Sequence, residues 1–207
     1  QLMSQWQAAG FTDFAAQLQA IFGARQLDAI TMATPLDALR TVLRDPEQRE
    51  VIAGLLGSNA TFGNIGGRGW EWVALGYLVG GLWLLQQRII TWHMPTAFLV
   101  TLFAISGAFG LYDPTRFAGP GFQLFTGGAM LAAFFIVTDP VSGATTPKGK
   151  LIFAAGVAAL TWIIRSFGAY PDGIAFAVLL MNIAAPLIDQ YTQPPVFGRK
   201  QKDQGSQ

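Results

Sequence analysis

Five apolar stretches follow one another between residues 72 and 189, at about 72–90, 94–112, 122–138, 151–168 and 173–189. Each comes close to the roughly 17–25 residues that a helix needs to cross a hydrocarbon core about 30 Å thick. The stretches 94–112 and 122–138 carry no charged residue at all. The chain has 52% hydrophobic and only 12% charged residues, where a soluble domain carries roughly 25% charged. Buried helices of a soluble protein would need covering layers, and the short connections between these stretches supply none. The expected fold class is therefore an all-α membrane protein with five transmembrane helices, preceded by an external helical and loop segment.

Composition excludes several chemistries. With no cysteine among the 207 residues, the chain offers no disulfide, zinc–thiolate site or iron–sulfur ligation. A lone histidine, His93, makes neither a metal site nor a catalytic triad by itself. The net charge of +1 gives no sign of nucleic-acid binding. Any redox chemistry has to come from an organic cofactor or from partner proteins.

The order of segments divides the chain into 1–69, polar and mixed; 70–193, the helical bundle; and 194–207, a basic tail. Within the first segment Phe11, Phe14, Ala15, Leu18, Ile21 and Phe22 recur at helical spacing, and Leu36, Leu39, Val42 and Leu43 repeat the pattern after Pro35. The glycine-rich run Gly63 to Gly69 then leads into the bundle. Short connections and the tail carry Arg88, Lys148, Lys150, Arg199, Lys200 and Lys202 on one side, against Arg116 and Arg165 on the other. The excess of basic residues marks the cytoplasmic face. Residues 1–69 are then periplasmic, and their arginines do not vote because long segments translocate largely regardless of charge. Trp70, Trp72, Trp92, Tyr112, Tyr170 and Tyr191 fall near the boundaries, as an interfacial belt requires. An exported segment of this size calls for a span upstream, and no signal peptide precedes it. The expectation is the C-terminal part of a longer multi-pass protein of a bacterial inner membrane.

Two heptapeptides resemble the recognition pattern of bacterial flavin transferases, Asp-x-x-(Ser/Thr)-x-Ala-Thr, in which FMN is esterified to the last threonine. They are Asp28-Ala-Ile-Thr-Met-Ala-Thr34 and Asp139-Pro-Val-Ser-Gly-Ala-Thr145. Either is short enough to serve instead as a turn or helix cap. Sidedness separates them. The transferase works outside the cytoplasmic membrane, where Thr34 is expected, whereas Thr145 falls on the lysine-marked side. The covalent flavin is assigned to Thr34, with Asp28 and Thr31 as transferase recognition residues.

Taken with Pro35-Leu36-Asp37, Gly69-Trp-Glu-Trp72, Phe134-Phe-Ile-Val-Thr-Asp-Pro-Val-Ser142, Ile164-Arg-Ser-Phe-Gly168, Tyr170-Pro-Asp-Gly-Ile-Ala-Phe-Ala-Val-Leu-Leu180 and Pro194-Pro-Val-Phe-Gly198, the first motif has a familiar setting. The chain resembles the NqrB/RnfD family. Its members are membrane components of the Rnf ion-translocating electron-transport complex and of the related sodium-pumping NADH:quinone oxidoreductase, and the likeness is to the Rnf branch. The resemblance runs over nearly the whole chain. Gly143-Ala144 departs from the Ala-Ser often found there, which makes the second flavin motif look incidental. The resemblance implies about ten spans in the full protein, an inverted-repeat bundle of which these five helices are half, and electron transfer between ferredoxin and NAD coupled to H⁺ or Na⁺ movement. It also implies the other Rnf subunits, the lipid bilayer and a flavin transferase as partners.

Further residues carry paired readings. Asp139 would bind a coupling ion or a second, noncovalent flavin such as riboflavin, or simply end a helix in the interface. The run Thr126-Gly-Gly-Ala129 reads first as a close-packing site between helices, and second as a break of the kind transporters use. Arg165 is expected to snorkel outward, Asn182 to bond to a neighbouring helix, and His93 to sit in the interface beside Trp92. The sequon Asn59-Ala-Thr61 is a coincidence in a bacterial protein. The competing function is a channel or transporter of the urea-channel-like fold, and a third reading is a scaffold that only binds redox partners. Neither has a use for Thr34 as a flavin acceptor.

Overall fold

A computed structural model describes residues 36, 70–113, 117–168 and 172–193. Asp28, Thr31 and Thr34 lie outside the described residues, as do the amphipathic patterns of the first segment (apart from Leu36), the sequon, Arg116, Tyr170 and the basic tail.

The described chain folds into α1 (Trp70–Gln86), α2 (His93–Tyr112), α3 (Pro120–Phe125), α4 (Ala129–Leu131, running on as a π-helical turn Ala132–Ile136), α5 (Pro147–Phe167) and α6 (Ile174–Thr192). Their ends follow local chemistry. Pro147 opens α5, where its missing N–H has no intrahelical partner to lose. Thr146 caps the same helix, its Oγ1 accepting from the Gly149 amide at 2.9 Å. α1 ends beside Arg88, whose φ of 57° turns the chain out of the helix.

Among the described residues three helices are long and apolar enough to span a bilayer: His93–Tyr112, Pro147–Phe167 and Ile174–Thr192. The other two expected spans are helical but different in form. The stretch read as about 72–90 becomes a helix of 17 residues, Trp70–Gln86. The stretch read as 122–138 is interrupted between Phe125 and Ala129. The run Thr126–Ala129 is thus a helix break, and the close-packing reading gives way to the alternative. Thr126 is extended (φ −118°, ψ 148°) and Gly127 takes φ +65°, and neither conformation continues a helix.

α5 lies at the centre, packed mainly on α2 and α6. Phe153, Ala154, Val157, Ala158 and Trp162 of α5 meet Phe98 and Leu102 of α2 and Ala177 of α6 in one buried cluster. Small residues let these backbones approach, the contact on which helix association in lipid depends. α1 rests on α4, where Gly81 faces Phe134 so closely that a β-carbon would run into the ring. Phe135 beside it meets Tyr77 edge-on, with ring centroids 5.8 Å apart. Outward faces stay apolar, with Val79, Val100, Phe103, Leu179, Ile183 and Leu187 all exposed, as lipid or partner helices require.

A phenylalanine ring cannot retract as a methionine would. Gly81→Ala should therefore lower the stability of the full-length protein in detergent by about 1–3 kcal/mol. Gly76→Ala, with nothing within 4 Å of the added carbon, should leave the unfolding midpoint unchanged; equal effects at both sites would contradict this packing.

Candidate functional site

The bundle has two chemically distinct ends, separated by the length of α5, whose 21 residues extend about 30 Å at 1.5 Å per residue.

At the end where α5 begins lies the Asp139–Thr145 loop. Asp139 turns back on its own chain: Ser142 Oγ donates to Oδ2 at 2.7 Å and the Val141 amide to Oδ1 at 3.3 Å. The Ser142 hydrogen bond, helped by the Val141 amide, holds the Asp139 carboxyl below its ordinary value, and the small desolvation works the other way. Thr145 is bound by Asp189 of α6, which accepts from its amide at 2.9 and 3.0 Å and from its hydroxyl at 2.9 Å. The Thr146 amide reaches the same carboxylate at 3.4 Å. One acid thus gathers the loop and fastens the start of α5 to the end of α6, leaving the Thr145 hydroxyl committed. A cavity of about 230 Å³ opens beside it, lined by residues that include Ile90, Met94, Thr138, Asp139, Thr145 and Lys150. It is smaller than the roughly 300–1,000 Å³ of most small-molecule sites. The amide of Asn182, in the orientation its surroundings select, reaches the Val178 and Ser142 carbonyls at 3.3 Å, so it bonds to this loop as well as to its own helix. His93 stacks on Trp92 with centroids 4.2 Å apart.

At the other end stands the helix break. Interrupting a helix frees carbonyls on one side and amides on the other, and in apolar surroundings each has to find a partner. Arg165, near the end of α5, serves the carbonyl side. Its Nη1 donates to Gln123 O at 2.8 Å and Gln123 Oε1 at 3.2 Å, and Nη2 reaches Thr126 O at 3.5 Å. Asp172 serves the amide side, its Oδ2 accepting from Gly128 N–H at 3.0 Å. The two caps then bond to each other: Arg165 Nη2 and Nε lie 3.0 and 3.3 Å from Asp172 Oδ1. Only 1% of the Arg165 side chain is exposed. The expected outward snorkelling does not occur, because the freed carbonyls offer the guanidinium more than the interface would. Asp172 and Gln123 join the site without having been anticipated from the sequence. The signal available was a mid-span Gly-Gly opposite an arginine followed seven residues later by an aspartate.

Leu36, the one described residue of the first segment, packs over this break. Its side chain is buried, and a β-carbon placed on Gly127 would come within 2.6 Å of Leu36 Cδ1 and 3.0 Å of both Arg165 Nη2 and Asp172 Oδ2. Leu36 therefore meets the bundle at the opposite end from Thr145. No group of three or more histidine, cysteine, aspartate or glutamate residues suited to a metal gathers among the described residues.

A bundle of apolar helices, three of them among the described residues long enough to span a bilayer, defines a helical membrane protein. A sequence profile of the NQR2, RnfD, RnfE family matches residues 1–198, and the chain belongs to that family. It is 47% identical over 205 residues to the D component of the ion-translocating oxidoreductase complex of Alcanivorax borkumensis, covering 99% of this chain and 59% of the relative. The same component from Yersinia pseudotuberculosis is 50% identical over 174 residues, covering 84% of this chain and 48% of the relative. That from Escherichia coli is 49% identical over 174 residues, covering 84% and 49%. The chain thus spans about half to three-fifths of the length of the curated relatives it matches.

Two outcomes follow from this geometry. Arg165→Ala leaves the freed carbonyls without their buried donor and the part-exposed Asp172 without its partner, and should cost about 1–3 kcal/mol, as stranding buried acceptors does. Added guanidinium ion should recover part of the unfolding midpoint in that variant and none in the wild type; a wild-type midpoint for Arg165→Ala would contradict the assignment. Ser142→Ala should move the Asp139 titration upward, toward the ordinary carboxylate value. The depressed value means that the Asp139 contribution to stability is present above the unfolded-state value and fades as pH falls below it. A pH titration followed by carboxyl-carbon NMR reads the shift, and an unmoved titration would contradict the hydrogen-bond origin.

Proposed function

We propose that this chain is the flavin-bearing part of a membrane subunit of a redox-driven ion pump, with FMN joined to Thr34 through a phosphoester. The observation that carries the reading is the heptapeptide Asp28–Thr34 in a chain of the NQR2, RnfD, RnfE family. The relatives are named as subunits of an ion-translocating oxidoreductase complex. In that role the protein passes electrons between ferredoxin and NAD together with the other Rnf subunits, and the transfer drives H⁺ or Na⁺ across the bacterial inner membrane. Bound FMN supplies one- and two-electron chemistry, while the protein sets its position and surroundings. Asp28 and Thr31 present the site to the flavin transferase.

The competing acceptor is disfavoured by its surroundings. The Thr145 hydroxyl already donates to Asp189, so esterifying it would require releasing the acid that fastens the start of α5. Leu36 packs near the far end of α5, which supports opposite faces of the membrane for the two motifs. Residues 1–69 are then periplasmic, and the lysine-bearing loop and the tail cytoplasmic. The cavity that joins Asp139 to Lys150 suits a coupling ion, or part of a noncovalent flavin such as riboflavin completed by a partner. The ion-pair-capped break is equally at home in a channel or transporter of the urea-channel-like type, and flavin content separates the two readings.

Denatured and run on a gel, the full-length protein from cells containing the transferase should fluoresce as a flavoprotein. Peptide mass mapping should find one FMN on the peptide containing Thr34, lost in Thr34→Ala and kept in Thr145→Ala. A label on Thr145, or a colourless protein in active complex, would overturn the reading.

A further inference from the structure

We propose that the basic mouth of the cavity beside Lys150 binds the phosphate headgroup of an anionic membrane phospholipid. The site goes beyond the redox role and stands whether or not Thr34 carries FMN. Two of the helices long enough to span a bilayer begin at this end of the bundle, α2 at His93 and α5 at Pro147. Met94 and Lys150, from their first turns, line the same cavity. Those turns therefore stand at headgroup depth, where the exposed ring of Trp92 also falls.

Three cations gather here. Lys150 is half-buried in the cavity wall, and Lys148 lies exposed in the same first turn of α5. Arg88, also exposed, immediately precedes Ile89, Ile90 and Thr91, which line the cavity as well. None of the three pairs with an acid among the described residues, where the one ion pair is that of Arg165 and Asp172. Two acids share this end, and both are engaged. Asp139 holds the Ser142 hydroxyl and the Val141 amide, and Asp189 holds Thr145 and the Thr146 amide. Three cations against two hydrogen-bonded carboxylates leave an excess positive charge at the depth of the lipid phosphates. Basic pockets between spanning helices are where acidic headgroups settle.

The surroundings favour a lipid over a soluble anion. At about 230 Å³ the cavity has room for a phosphodiester, yet falls below the range of sites that enclose a whole organic ligand. Its lining residue Ile89 is 63% exposed, and Val141, next to the lining residue Pro140, is 89% exposed. A free phosphate makes no use of such apolar neighbours. Acyl chains running into the bilayer from a bound headgroup would cover them and remove apolar surface from water.

The test uses the intact complex, purified in detergent and washed free of loosely held lipid. Wild type, Lys150→Gln, the double variant with Lys148→Gln and the triple variant with Arg88→Gln are titrated with phosphatidylglycerol or phosphatidylcholine. Bound lipids are counted by native mass spectrometry. Wild type should hold phosphatidylglycerol at a site that phosphatidylcholine does not fill. Each charge removed should weaken that binding about fivefold, the equivalent of about 1 kcal/mol per basic residue near a membrane surface. Lys150→Arg, which keeps the charge, should bind as wild type does. Phosphatidylglycerol held equally by wild type and the triple variant would overturn the site, and so would equal binding of the two lipids. Displacement by glycerol phosphate at the lipid's own concentration would name a soluble anion and overturn the lipid reading. A triple variant that loses another subunit but no lipid would assign the surface to a protein partner, with the same consequence. Should variants carrying Lys150→Gln fail to assemble, the exposed pair Lys148→Gln with Arg88→Gln decides, unchanged affinity overturning the proposal.

Discussion

The bond between Arg165 and Asp172 is the constraint on which the rest of the structure depends. A helix interrupted inside an apolar bundle exposes backbone groups that lipid cannot satisfy. Here one charged pair meets both halves of that demand, the guanidinium on the carbonyls of Gln123 and Thr126 and the carboxylate on the Gly128 amide. Five guanidinium donors in a planar fork make this possible; an ammonium would serve fewer acceptors from one position. The break in turn permits Gly127 its left-handed turn, and the turn makes the hollow that Leu36 fills.

The opposite end is built on a parallel logic with a different acid. Asp189 of α6 collects the amides of Thr145 and Thr146 and the Thr145 hydroxyl, closing the loop that follows α4. Asp139 spends its hydrogen bonds within its own turn, on Ser142 and Val141. The stretch from Pro120 to Ile136 runs between these two ends, with Leu36 packed at its break and the cavity beside Asp139 at its far end.

Much of the architecture is legible in the amino-acid order, and the exceptions have physical reasons. The apolar runs at 94–112 and 151–168 declare helices through their length and apolarity, and His93–Tyr112 and Pro147–Phe167 form there. Thr126-Gly-Gly-Ala129 is ambiguous in sequence because small residues serve both close helix packing and helix interruption. What decides is a pair able to cap the freed groups, and those bonds reach across 39 to 44 residues of sequence. Arg165 is misread for the same reason. A lone arginine near a helix end usually reaches for the interface, and only the fold shows that three oxygens of Gln123 and Thr126 and a carboxylate lie closer. The Asp139–Thr145 motif matches a flavin pattern in sequence, yet in the structure its terminal hydroxyl is a donor to Asp189.

In the proposed function the flavin is carried on Thr34, two residues before Leu36, and Leu36 meets the bundle where the helix is broken. A density map of the intact complex, determined with the flavins retained, tests the proposal most directly. It should show flavin density continuous with the Thr34 side chain, and Leu36 packed on Gly127 beside the Arg165–Asp172 pair. Flavin density continuous with Thr145, or Leu36 lying away from Gly127, would contradict it.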